Sequence, residues 1–277
     1  MAGVELDHHR GGAGDPLVLI HGIGHTWRGW RPMLPLLEES FDVLAVDLPG
    51  FGYSPPLPAG VESSPETLAD AVERAMDAAG FRAAHLAGNS LGGWISLELA
   101  RRGRAATVTA ISPAGLAWGR EARLAAGILR TERWLARNAP ASEALLRTPV
   151  GRTLFAGSAF ARPWRIDSDD MVEQAGLLAD APGFESTLGK TLGAQVRGLD
   201  AIRCPVLVLW GTRDVILLPR QGRRFERLIP GAELRYPKGL GHVPMSDDPE
   251  LVARAIADFA ARVELRPGPE PRAAAPA

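Results

Sequence analysis

The chain has one cysteine among 277 residues, almost no net charge and no long apolar run. Each shortage removes a class of protein. Cys204 alone cannot close an internal disulfide, and no Cys/His cluster has zinc-site spacing, so a reducing cytoplasm and no metal are expected. Thirty-one basic residues against 32 acidic ones leave a formal net charge of -1. That balance supplies no field toward nucleic acid or an anionic membrane, and neither is expected as a partner. Lysine occurs only at Lys190 and Lys238, so nearly all positive charge is arginine, a bias that implies no function. No apolar run approaches the roughly 20 residues that span a bilayer, and Met1 to Arg10 lacks the basic and then apolar character of a secretory signal. A soluble cytoplasmic protein is expected.

What is present is an ordinary globular composition, 46% hydrophobic and 23% charged. At this length one domain with an insertion is the leading expectation. Short apolar runs alternate with helical patterns, the mark of an α/β fold with a mostly parallel sheet flanked by helices. The expected strands are Leu17–Ile20, Phe41–Val46, Ala84–Ala87, Thr107–Ile111, Pro205–Trp210 and Ala232–Tyr236. Val206-Leu207-Val208-Leu209 has no polar face and reads as a central strand. Ser64 as N-cap and Pro65 open a helix with Leu68, Val72 and Met76 on one face, and Pro249 opens a last helix with Val252, Ile256 and Phe259. Residues 116–198 break the alternation with successive helical patterns and no strand, so they are expected to form a helical cap over a core of residues 1–115 and 199–265. The Pro- and Ala-rich tail, 266–277, is expected to be disordered.

Gly88-Asn89-Ser90-Leu91-Gly92 joins an apolar strand to a helical pattern. The G-x-S-x-G motif alone is weak, but this context predicts a sharp turn that holds Ser90 out from the sheet edge at a helix start. There the Leu91 N–H points toward an oxyanion on a substrate. A serine hydroxyl needs a base, and His242, in a loop before the last helix, is placed to serve. Asp214, directly after the most apolar strand, is the candidate to orient it, with a turn cap or a solvated pair with Arg213 as the alternative.

With His21-Gly22-Ile23-Gly24 after the first apolar run and Asp47-Leu48-Pro49-Gly50-Phe51-Gly52 after the second, the chain resembles the α/β-hydrolase superfamily, in its serine-nucleophile branch with a helical cap. The order Ser90, Asp214, His242 is part of that resemblance. The resemblance implies an oxyanion hole from the N–H groups of Ile23 and Leu91, a bracing role for His21, a cap between the sixth and seventh core strands, and no cofactor. It sets apart epoxide hydrolases and haloalkane dehalogenases, which resemble the pattern but carry aspartate where Ser90 stands.

His25, Trp27, Asn89, Trp118, Trp134 and Trp164 are the substrate-binding candidates, with packing of loop and helices as the other use of the tryptophans. Arg101, Arg102, Arg104, Arg223 and Arg224 read as solvated helix-end charges, and Asp247 and Asp248 as capping residues of the last helix. The expected function is a carboxylesterase-like serine hydrolase, monomeric or dimeric, taking esters of small or medium apolar acids through an acyl-enzyme. Carbon–carbon bond hydrolysis of aromatic degradation and cofactor-free perhydrolysis share these motifs, and a non-turnover receptor is the reading from another class.

Overall fold

A computed structural model describes residues 4–138 and 142–263. The expected tail, residues 266–277, lies outside the described residues. Among the described residues seven strands form one sheet, β1 (His8–Gly11), β2 (Asp15–Ile20), β3 (Phe41–Val46), β4 (Ala84–Asn89), β5 (Ala105–Ile111), β6 (Val206–Leu209) and β7 (Glu233–Arg235). Their order is β1-β3-β2-β4-β5-β6-β7, with β1 antiparallel to β3 and every other pair parallel. Eleven α-helices occur among the described residues. They are α1 (Leu34–Leu37), α2 (Pro65–Ala78), α3 (Leu91–Arg101), α4 (Arg120–Asn138), α5 (Ser142–Leu146), α6 (Pro149–Ala156), α7 (Ser168–Asp180), α8 (Phe184–Thr191), α9 (Gly222–Leu228), α10 (Pro244–Asp247) and α11 (Pro249–Ala260).

All six expected strands are present. β6 is buried at every residue, as its unbroken apolar run requires, but it lies between β5 and the edge strand β7 rather than at the centre of the sheet. β1 was not expected. His8-His9-Arg10-Gly11 has no apolar run, and only its pairing with β3, from His8 opposite Val46 to Gly11 opposite Val43, makes it a strand.

The Ser64 hydroxyl accepts from the Thr67 N–H at the start of α2, and Asp248 accepts from Leu251 at the start of α11. Helix α3 is buried from Leu91 through Ala100, packing against β4 and β5 beneath α2. Glu98 is buried on it because Arg101 and Arg102 both bond its carboxylate. Arg102 continues to Asp70 and Glu73, and Arg104 to Glu73 and Asp77. These arginines thus tie two helices together and are not free solvated charges.

Residues 116–198 hold helices α4 to α8 and, among the described residues, no strand. This segment enters between β5 and β6, the fifth and sixth strands, one earlier than the count the resemblance implies.

Parallel pairing sets the carboxyl ends of β2, β4, β5, β6 and β7 along one rim, with Ile20 beside Gly88, Asn89 beside Ile111 and Ile111 beside Leu209. The loops that follow, with His21 to Ile23, Ser90, Asp214 and His242, therefore gather there.

Candidate active site

Ser90 follows β4 directly and has φ 57° and ψ -115°, a backbone conformation that disfavours every side chain. The bonds around it fix this turn. Its N–H donates to Ile111 O at 2.9 Å, and its carbonyl accepts from Ala114 N at 2.9 Å and Trp94 N at 3.2 Å. Gly88 and Gly92 are obligatory, since a Cβ on Gly88 would stand 2.1 Å from Gly92 O and one on Gly92 would stand 2.0 Å from Ile20 O. Leu91 opens α3, and the first N–H groups of a helix have no partner within it. A second non-glycine residue with positive φ, Ser112, follows the adjacent strand β5, so the strain sits at one place on the rim.

His242 Nδ1 lies 2.8 Å from Asp214 Oδ2, with both residues buried. The other carboxylate oxygen of Asp214 accepts from Ile216 N at 2.9 Å and Leu217 N at 2.8 Å. A carboxylate so held keeps the proton on His242 Nδ1 and leaves Nε2 as the basic nitrogen. The loops carrying Asp214 and His242 touch directly, because Gly211 lets its backbone meet Gly241 and Leu240, and Arg213 N donates to Leu240 O at 2.9 Å.

A small cavity of about 30 Å³ is lined by Ser90, His242, Ile23 and Asn89. It adjoins a chamber of about 380 Å³ lined largely by the inserted segment, including Phe155, Phe160, Met171 and Ala175. Gly24, His25, Glu132, Ala159 and Leu178 border both. The structure therefore brings Ser90, His242 and Ile23 together around one space, with Asp214 behind the histidine.

His25 lines both cavities, but the other substrate-binding candidates fare differently. Asn89 borders the small cavity, yet its amide is already engaged, donating to His242 O at 2.9 Å and Ile111 O at 3.3 Å. It holds the histidine loop to the serine strand. None of the four tryptophans lines either cavity. Trp27 donates from Nε1 to Asp7. Trp118 is 45% exposed and lies under Arg224, whose guanidinium is 4.1 Å from the ring and also pairs with Glu121. Trp134 and Trp164 are 60% and 47% exposed. These rings lie away from both cavities.

His21 braces the first loop. Its Nδ1 donates to Gly22 O at 2.7 Å and its Nε2 accepts from Leu48 N at 2.8 Å, so both nitrogens are used by the neutral ring. Burial pushes its pKa down to about 3, against the help of the Gly22 carbonyl.

Two carboxyl groups carry roles that sequence reasoning missed. Asp247 does not cap the last helix; its oxygens accept from Gly241 N at 2.7 Å, Ala161 N at 3.0 Å and Arg162 N at 2.8 Å, stapling the histidine loop to the inserted segment. Glu132 on α4 reaches both cavities and takes a hydrogen bond from Ser158. In the sequence it stands among Arg130, Thr131 and Arg133 and looks like any solvated helix charge. Among the described residues no His/Cys/Asp/Glu cluster could hold a metal, and no helix is long and apolar enough to cross a membrane.

Comparison with known proteins identifies relatives of the chain. The model of the alpha/beta hydrolase family matches residues 17–255. The epoxide hydrolase EphH of Mycobacterium tuberculosis is 35% identical over 212 residues, covering 71% of this chain and 94% of that protein. The 2-hydroxymuconate semialdehyde hydrolase of a Pseudomonas species is 41% identical over 104 residues, 36% of each chain. Among solved structures, a bacterial membrane phospholipase A superposes with a TM-score of 0.76 at 26% identity, covering 95% of this chain and 86% of its own. An esterase of Thermogutta terrifontis superposes with a TM-score of 0.74 at 24% identity over 94% of each chain, a likeness of fold alone. With its sheet order, its serine elbow and this family match, the chain belongs to the alpha/beta hydrolase family.

Proposed function

We propose that the protein is a serine-dependent carboxylic ester hydrolase, with residues 116–198 acting as a cap that shapes the acyl site. The observation that carries this reading is Ser90 at a strained elbow, on the same small cavity as a histidine whose far nitrogen is anchored on Asp214. In the reaction, Ser90 Oγ attacks the ester carbonyl as His242 Nε2 takes its proton, and the resulting oxyanion is met by the N–H groups of Leu91 and Ile23. Collapse expels the alcohol, which receives the proton from His242. Water then repeats the sequence with His242 as base, releasing the acid and restoring Ser90. Asp214 stabilises the imidazolium at each stage.

The apolar lining of the larger chamber supports a small or medium apolar acyl group. The likeness to EphH raises epoxide opening as another reading. The residue at the elbow here is a serine, which favours acyl transfer, since the resemblance ties epoxide opening to an aspartate at this position. Local likeness to the semialdehyde hydrolase keeps carbon–carbon cleavage by the same serine as the second reading. A panel of p-nitrophenyl esters of increasing acyl length tests the proposal. Hydrolysis that peaks at short to medium chains and falls by about four orders of magnitude in Ser90→Ala is expected. Equal ester turnover by both proteins contradicts it.

A further inference from the structure

Two polar side chains border both cavities and take no part in the steps above. Glu132, on α4, is hydrogen-bonded by Ser158, and among the described residues no cation pairs with its carboxyl. His25 follows the oxyanion loop. Its Nδ1 is sealed from solvent without a hydrogen-bond partner, which leaves Nε2 as the ring nitrogen for a ligand. The ring packs edge-on against Phe160. Gly24, Ala159 and Leu178, the other residues common to both cavities, offer no side-chain polar atom. A ligand that extends from the larger chamber to Ser90 must pass this neck, where a carboxyl and an imidazole are the only side chains able to hydrogen-bond it among those shared.

We propose that Glu132 and His25 form a hydrogen-bonding clamp at the neck that selects acyl substrates bearing a hydroxyl group a few carbons from the scissile carbonyl. The hydroxyl donates to the Glu132 carboxyl and meets the His25 ring. This deepens the ester-hydrolase reading by naming the substrate class, and it rests on that reading for the direction in which the acyl chain lies. A hydroxyl suits the neck better than an ammonium group. A hydroxyl can donate to the carboxyl and accept from the His25 ring, which burial keeps neutral by pushing its pKa down to about 4, whereas an ammonium can only donate. An ester without the hydroxyl strands these polar groups in an apolar passage, and sites of that kind discriminate by much more than an added methylene does.

The test separates recognition from chemistry. Ser90→Ala protein is titrated calorimetrically with methyl ketones, which cannot be hydrolysed, each plain ketone paired with counterparts hydroxylated at successive chain carbons. At one position the hydroxyl is expected to tighten binding by about tenfold or more, and adding Glu132→Leu brings the pair to within about twofold. His25→Leu lowers the preference less. Should Glu132→Leu not fold, Glu132→Gln, which keeps an acceptor toward Ser158, is expected to reduce the preference at least about threefold. No preference at any position, a preference that survives the Glu132 variants, no binding of either member of any pair, or tighter binding of an amino counterpart overturns the clamp. Fluorophosphonate labelling of the wild-type protein reads the nucleophile separately, so a failed label with an intact hydroxyl preference indicts the ester reading and leaves the clamp standing.

Discussion

Acid should weaken this fold through His21, and the size of the effect follows from its two bonds. The ring is 1% exposed, gives its Nδ1–H to Gly22 O and accepts the Leu48 N–H at Nε2. Protonating Nε2 would set one N–H against another in a buried space, which is why burial holds the folded pKa at about 3 against an ordinary value of 6.5. The unfolded chain takes up a proton as pH falls through about 6.5, whereas the folded chain does not until about 3. The contribution of His21 is therefore whole above pH 6.5 and is lost progressively below it. At pH 5 the loss is roughly 2 kcal/mol, with more to come down to the folded pKa. Other groups titrate over the same range, so the assay is a difference. Urea unfolding of wild type and His21→Gln is followed from pH 7.5 to 5, where the glutamine keeps an acceptor for Leu48 but cannot titrate. The wild type is the more stable at pH 7.5, and its lead is expected to shrink by about 2 kcal/mol at pH 5. A lead that stays constant across this range refutes the assignment of a neutral, bracing histidine.

Further outcomes follow from the same contacts. In Asp214→Asn the two backbone donors from Ile216 and Leu217 hold the amide oxygen, which turns the NH2 toward His242 and forces its proton onto Nε2; kcat on a short ester should fall by about 10⁴ with little change in KM. Asn89→Leu removes both donors to His242 O and Ile111 O, and a drop of about 2–4 kcal/mol in unfolding free energy is expected by denaturant titration, with reduced kcat in whatever remains folded. Asp47→Ala strips the acceptor from Trp27 N at 2.6 Å, Tyr53 N at 3.1 Å and the Arg28 guanidinium, and should destabilise the fold by about 3 kcal/mol or more in the same assay. Asp247→Ala frees Gly241 from residues 161 and 162, and hydrogen exchange should rise in the His242 loop and at those two residues together.

The parts of the molecule that were legible in the chain are those whose signal is local. Val206 to Leu209 announces a doubly covered strand because nothing in it tolerates water, and Ser64-Pro65 announces a helix start because both residues act on their immediate neighbours. Gly88 and Gly92 around Ser90 are legible for the same reason, since the turn they permit lies within five residues. Contacts across the chain left no such trace. β1 exists only through its pairing with β3, and Asp247 looks like a cap until residues 161 and 162 come beside it. The tryptophans misled because size and flatness suit a surface arginine as well as an acyl chain, and Trp118 found Arg224. Glu132 was invisible for the opposite reason, since only the fold turns a helix carboxylate toward the two cavities.

Whether the Ser90 oxygen carries the acyl group is read most directly by rapid acid quench of a short p-nitrophenyl ester reaction, followed by intact and peptide mass measurement. An acyl adduct that forms with the burst of nitrophenol, maps to the peptide containing Ser90 and is missing from Ser90→Ala is the predicted result. Ester turnover with no adduct on that peptide at any quench time would contradict it.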